Sequence, residues 1–217
     1  MKRAIIIMAK VPRAGNVKTR LQPFLSAEQC VSLSEAFLED AIEKAKKSTD
    51  ILIIAFSPAE EREYFDKFSD ENLILIEQNG ADLGEKMFNA FDFAFQKNLD
   101  SVVMIGTDSP TFPDDYLKQA FEFLHTSDAV LGKTEDGGFY LIGLRKLDEC
   151  IFNNVEWSSP QTFHQTVQNL EKLQFSLQEL PIWYDIDEPQ DLEKLRKDKL
   201  LQKSSPRSAK WLQNLKQ

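Results

Sequence analysis

Lys10, Arg13, Lys18 and Arg20 crowd around Pro12 and Gly15 directly after the apolar run Ala4–Ala9. With Lys2 and Arg3, the first twenty residues hold six cations and no acid. They carry +6 of a chain whose formal net charge is −9, leaving −15 on the other 197 residues. A concentrated positive loop after a strand, on an acidic protein, suits a small anionic ligand, first of all a phosphate-bearing nucleotide. Gly15 lets backbone approach that ligand, and Lys18 and Arg20 are placed to aim at its phosphates. The loop is not a Walker A motif, which needs Gly-Lys-Thr in direct succession. Two residues separate Gly15 from Lys18-Thr19, and Pro23 stops a helix from starting at Lys18.

Carboxylates supply the second half of the chemistry. Asp108 stands in Gly106-Thr107-Asp108-Ser109-Pro110, a turn that can project a hard oxygen toward Mg²⁺ or Mn²⁺. Asp-Ser-Pro is equally an ordinary turn and cap sequence. Asp136 heads Asp136-Gly137-Gly138, a tight-turn signal whose glycines leave room for an acceptor that Asp136 binds or deprotonates. Asp185 and Asp187 flank Ile186. They are expected on opposite sides of an extended segment, so that one of them reaches a metal held by Asp108. Asp187 is assigned that role, its alternative being the N-cap of a helix opened by Pro189. Gln78 and Gly84 bracket a glycine-rich helix entry that shapes a base or sugar pocket, or simply turns and caps the chain. Trp157 is read first as a core ring and second as a ring over substrate.

The elements that must hold these residues follow from hydrophobic period. Strands are predicted at Arg3–Met8, Ile51–Phe56, Leu73–Glu77, Ser101–Gly106, Ala129–Gly132, Gly138–Leu144 and Leu177–Leu180. Helices are predicted from the capping box of Ser26 and Gln29 to about Lys47, and at Pro58–Phe68, Asp82–Gln96, Pro113–Leu124, Ser159–Leu173 and Pro189–Lys197. Such alternation implies α/β architecture with a mostly parallel sheet and helices on both faces. Ligands then bind beyond the carboxyl ends of the strands, at the loops after Met8, Ile105 and Leu131.

At 217 residues the chain reads as a transferase domain over 1–198 and a basic extension over 199–217. The extension holds Lys199, Lys203, Arg207, Lys210 and Lys216 without an acid, and is expected to dock as a peripheral helix through Trp211, Leu212 and Leu215. Cys30, Cys150, His125 and His164 show no zinc-site spacing. A pI of about 4.9 argues against nucleic acid as a partner. No membrane span and no signal peptide are expected, and the protein is read as cytoplasmic.

Taken together, the motifs resemble a family. The order is Ala-Lys-x-Pro-x-Ala-Gly-x-Val-Lys-Thr-Arg-Leu, Gly-Thr-Asp-Ser-Pro, Asp-Gly-Gly-Phe-Tyr-Leu-Ile-Gly-Leu, Trp-Ser and Asp-Ile-Asp-x-Pro-x-Asp-Leu. It resembles the small bacterial glycosyltransferase-like proteins of the GT-A, nucleotide-diphospho-sugar transferase superfamily. More distantly it is similar to guanylyltransferases acting on phospholactate and on molybdenum cofactor. The resemblance covers about residues 3 to 195 and implies a three-layer α/β/α fold with nucleotide at the first loop. It implies phosphate contacts from Gly15, Lys18 and Arg20, and a metal on Asp108 and Asp187. The first loop lacks the consecutive glycines of sugar nucleotidyltransferases, and one Asp replaces Asp-x-Asp, which leaves the donor type open.

The expected function is a metal-dependent transferase acting on a nucleotide or nucleotide-sugar donor and a small-molecule acceptor. Glycosyl transfer leads, with Lys18 and Asp136 as catalytic groups. Nucleotidyl transfer with pyrophosphate release is the alternative, and a non-catalytic nucleotide-binding module is a third reading.

Overall fold

The protein is described by a computed structural model covering residues 2–22 and 24–215. Pro23, the predicted breaker, and Lys216 lie outside the described residues. The strands are β1 (Arg3–Lys10), β2 (Ile51–Ser57), β3 (Leu73–Glu77), β4 (Ser101–Ile105), β5 (Ala129–Thr134), β6 (Phe139–Leu144) and β7 (Leu177–Trp183). The α-helices are α1 (Ala27–Lys46), α2 (Glu63–Asp66), α3 (Leu83–Gln96), α4 (Asp114–Phe123), α5 (Thr162–Lys172), α6 (Pro189–Lys197), α7 (Leu201–Ser204) and α8 (Pro206–Asn214).

The strands form one sheet in the order β3-β2-β1-β4-β6-β5-β7. β6 pairs antiparallel with both β4 and β5, and every other pairing is parallel. The central strands are apolar on both faces, as a covered parallel sheet requires. Successive side chains alternate between two layers. Ile5 and Ile7 of β1 pack with Leu38 and Ile42 of α1 and with Leu117 and Phe121 of α4. Ala4 and Ile6 pack with Met87 and Phe91 of α3 and with Phe163 and Leu170 of α5. This is the three-layer α/β/α fold expected from the sequence. Among the described residues no helix is long and apolar enough to cross a membrane.

Local differences have local causes. The predicted helix over Pro58–Phe68 is a 3-10 turn, Ala59–Glu61, followed by the four-residue α2. Only Phe65 of that stretch is fully buried, too small an apolar face to hold a longer helix. β7 extends to Trp183 through Pro181 because it is an edge strand, where a missing N–H is tolerated.

The C-terminal segment packs into the body. Leu201, Ala209 and Leu212 share an apolar cluster with Leu33 and Phe37 of α1 and Leu195 of α6. Arg207 pairs with Glu39 and Glu43, and the Trp211 indole N–H donates to Ser32 Oγ. Asp40, also on α1, accepts the backbone N–H groups of Arg207 (3.0 Å) and Ser208 (2.9 Å) at the start of α8.

Candidate active site

The loops beyond the carboxyl ends of β1, β4 and β7 open on one cavity of about 550 Å³. Because β6 runs in reverse, its first residue and the tight turn before it reach the same edge, which brings Asp136 to the cavity. That turn needs glycine at position 137, where φ is +94° and a Cβ would collide with the Pro160 carbonyl.

Lys18 is the centre of the arrangement. It holds a left-handed backbone (φ 47°, ψ 37°) ahead of the 3-10 turn Thr19–Leu21, whose Leu21 is fully buried. The Leu21 N–H and the Cys30 thiol both donate to the Lys18 carbonyl, at 2.9 and 3.4 Å. The side chain is 6% exposed. Its ammonium donates to Asp108 Oδ1, to the Ile186 carbonyl at 2.6 Å and to Asp187 Oδ1 at 3.0 Å, with the Phe37 ring centroid 5.4 Å away. The Ile186 N–H in turn donates to the Asp108 carbonyl at 2.9 Å, which locks the loop after β4 to the segment after β7. Burial works against the charge, but the Asp108 and Asp187 carboxylates outweigh it and hold the Lys18 pKa above its ordinary value. The three contacts match the three ammonium protons. Sequence reasoning aims Lys18 at phosphates; the structure pairs it instead with the two acids assigned to metal.

The other predicted residues divide. Lys10, Arg20, Gln78, Asp108, Asp136 and Asp187 line the cavity with Lys18. Arg13 is outside its lining and ion-paired with Glu61 at 2.6 Å. Gly15 supplies a left-handed turn (φ +81°) and also lies outside the lining. Gly84 is a packing glycine, because a Cβ there would stand 2.7 Å from Trp157 Cζ2. The Gln78 amide nitrogen is spent on the carbonyls of Ala9 (3.1 Å) and Ala55 (2.8 Å), which leaves its oxygen as the group it can offer. Asp136 Oδ1 accepts from Thr134 Oγ1 (2.6 Å) and from the Gly138 N–H (3.0 Å).

The expectation that Asp185 and Asp187 diverge is corrected: both line the cavity. Residues two apart on extended backbone share a face, and the buried Ile186 is the one turned away. Asp185 accepts from the Ser109 hydroxyl. Burial, followed by the negative charges of Asp108, Asp187 and Asp136, pushes its pKa up to about 7. Sequence reasoning also missed the hydroxyl wall of Thr107, Ser158, Ser159 and Thr162, although Trp157-Ser158 was the nearest signal.

The donor set suits a hard divalent cation. Asp108 and Asp187 already turn one oxygen each onto a single positive group, and their side chains are 49% and 41% exposed. Among the described residues no three His, Cys, Asp or Glu side chains form a complete metal cage. Two carboxylates with the remainder left to phosphate and water is the pattern by which Mg²⁺ is usually held.

A buried lysine supports the Asp108 loop from behind. Lys44 of α1 donates to the carbonyls of Pro110 (2.9 Å) and Phe112 and lies 3.8 Å from the Phe112 ring centroid. Ser205, just before α8, donates to the same Pro110 carbonyl. Burial pulls the Lys44 pKa down to about 8, against the opposing pull of Asp114 and Asp40. Between pH 8 and 10.5 the unfolded chain therefore binds more protons than the folded one, and stability rises with pH. Wild type should gain on the order of 2–3 kcal/mol over Lys44→Met across that window, measured by urea denaturation at each pH. Parallel pH profiles for the two proteins would refute the assignment.

Fold and site together define a protein of the GT-A-like, nucleotide-diphospho-sugar transferase architecture. Residues 41–159 match the family described as "Uncharacterized protein conserved in bacteria (DUF2064)", and the chain belongs to that family. The matched stretch contains Asp108 and Asp136 but neither the Lys18 loop nor Asp187. The chain is 26% identical over 138 residues to the 2-phospho-L-lactate guanylyltransferase of Methanobrevibacter smithii, covering 63% of this chain and 60% of that protein. It thus spans less than two thirds of that relative's length. A putative nucleotide-diphospho-sugar transferase from Desulfovibrio desulfuricans G20 superposes with a TM-score of 0.91 at 29% identity, over 100% of this chain and 96% of that one. The 4-diphosphocytidyl-2C-methyl-D-erythritol synthase of Anaerococcus prevotii shares the fold, with a TM-score of 0.59 at 12% identity over 89% and 95% of the two chains.

Proposed function

We propose that this protein is a divalent-metal-dependent nucleotidyltransferase joining a nucleoside triphosphate to a small phosphorylated acceptor. One observation carries the reading. Asp108 and Asp187, from the segments after different strands, each turn Oδ1 onto the Lys18 ammonium of the basic loop. An acceptor phosphate oxygen attacks the α-phosphorus, the bond to the β-phosphate bridging oxygen breaks, and pyrophosphate leaves. Lys10, Lys18 and Arg20 hold phosphate oxygens and offset the charge that develops on them. Gln78 and Leu83 line the part of the cavity assigned to the base or sugar. Asp108 and Asp187 would hold a Mg²⁺ or Mn²⁺, which would supply Lewis acidity and offset phosphate charge when bound.

The relative acting on 2-phospho-L-lactate supports a phosphorylated acceptor. A second reading is glycosyl transfer from a nucleotide-sugar, with Asp136 deprotonating an acceptor hydroxyl, and the Desulfovibrio desulfuricans neighbour favours it. Product analysis separates the two. The four nucleoside triphosphates with Mg²⁺ or Mn²⁺ and 2-phospho-L-lactate or sugar 1-phosphates should release pyrophosphate. Nucleoside diphosphate released from UDP- or GDP-sugars, with no pyrophosphate from any triphosphate, would establish the second reading instead.

A further inference from the structure

The ammonium of Lys18 and a divalent cation draw on the same two oxygens. Asp108 Oδ1 and Asp187 Oδ1 both accept from Lys18 Nζ, and the Ile186 carbonyl completes its contacts. Two cations crowded on the same pair of oxygens repel strongly in a partly desolvated site. The lysine is not a loose surface group. Its stem is buried, its backbone is pinned at φ 47°, and its carbonyl is held by Leu21 and Cys30. Its long stem can nonetheless swing, and the cavity it lines continues to Lys10 and Arg20, where phosphates would lie.

We infer that Lys18 is a built-in cation that occupies the metal's carboxylates until a nucleotide phosphate draws it away. The metal then enters with the nucleotide rather than before it. Free metal binds weakly, because it must displace an ion pair with three partners. Once phosphate oxygens accept the ammonium, the two carboxylates are released to the metal. Lys18 thereby serves both charge patterns with one side chain. This rests on the metal site described under Proposed function.

The test reads metal binding alone, without turnover. Mn²⁺ is titrated into nucleotide-free protein and the free ion is followed by electron paramagnetic resonance. Lys18→Met and Lys18→Gln remove the competing charge, and each should bind Mn²⁺ about tenfold or more tighter than wild type. Adding Asp108→Asn to either variant should erase the gain. Equal affinity in wild type and both variants overturns the inference while leaving the carboxylate site intact, provided Asp108→Asn alone weakens Mn²⁺ binding. A gain that survives Asp108→Asn overturns the inference and the metal site together. A wild-type measurement covers the case in which neither variant folds. Acetylation of the Lys18 amine, read by peptide mass spectrometry, should be slow without metal and rise several-fold in step with the Mn²⁺ occupancy that the titration measures. A rate that stays flat while Mn²⁺ fills the site overturns the inference.

Discussion

Asp108→Asn is expected to lower nucleotidyl transfer by about 10³-fold while shifting the melting temperature only slightly. The asymmetry follows from where Asp108 stands. Its side chain is 49% exposed, and the bond that locks its loop to Ile186 uses its backbone carbonyl, which the substitution keeps. Lys18 retains Ile186 and Asp187 as partners. On the proposed function, the charge that would hold the metal is what disappears, and with it electrostatic stabilisation of the transferring phosphate. Pyrophosphate release under saturating triphosphate, beside a thermal melt, measures both arms. The metal-dependent part of any nucleotide-induced thermal shift should vanish as well. Activity within tenfold of wild type would remove Asp108 from the site.

Asp40→Ala should cost about 3–5 kcal/mol of stability, the range for removing one member of a buried charged network. Asp40 is 1% exposed and accepts the N–H groups of Arg207 and Ser208 as well as the Ser208 hydroxyl. It acts as a carboxylate cap lent by α1 to the N-terminus of α8, where the helix dipole favours negative charge. Burial pushes its carboxyl up, and the Ser208 and Arg207 donors oppose that rise. Alanine leaves those donors without their partner and undoes the docking that carries Ala209 and Leu212 into the apolar cluster with Leu33 and Phe37. A fall of roughly 10 °C in melting temperature is expected for a chain of this length, with Asp40→Asn intermediate. A change of less than about 1 kcal/mol would show that α8 docks without it.

Much of the fold was legible because its signals are local. The capping box appears as read, with Gln29 N–H on Ser26 Oγ at 3.2 Å and Ser26 N–H on Gln29 Oε1 at 2.8 Å. The apolar runs of β1, β2 and β4 are uninterrupted and bounded by polar residues, so period alone places them. Strand order carries no such signal, and the insertion of β6 between β4 and β5 comes from tertiary pairing. At the site, Asp108 was singled out from its place after a strand and Asp187 from its place ahead of the helix opened by Pro189, and both line the cavity. The pairing of Lys18 with them was not, because its partners lie 90 and 169 residues away. Gly84 was misleading for a related reason. A glycine that admits an indole ring reads the same in sequence as one that admits a ligand, and only Trp157 distinguishes them.

The docking of α8 on α1 also bears on how the chain is made. Asp40 and Ser208 are 168 residues apart, so at 5–20 residues per second roughly 10 to 30 s separate their emergence from the ribosome. Through that interval the Leu33 and Phe37 side of α1 lacks its cover from Ala209 and Leu212. Lys18 likewise waits for Asp187, and the Pro110 carbonyl for Ser205. A nascent chain therefore presents a bare apolar stripe, the kind of surface that chaperones bind, until α8 arrives. Ser205, immediately ahead of α8, holds the Pro110 carbonyl of the loop bearing Asp108, so the stripe is covered and that loop is fixed by neighbouring residues that emerge together.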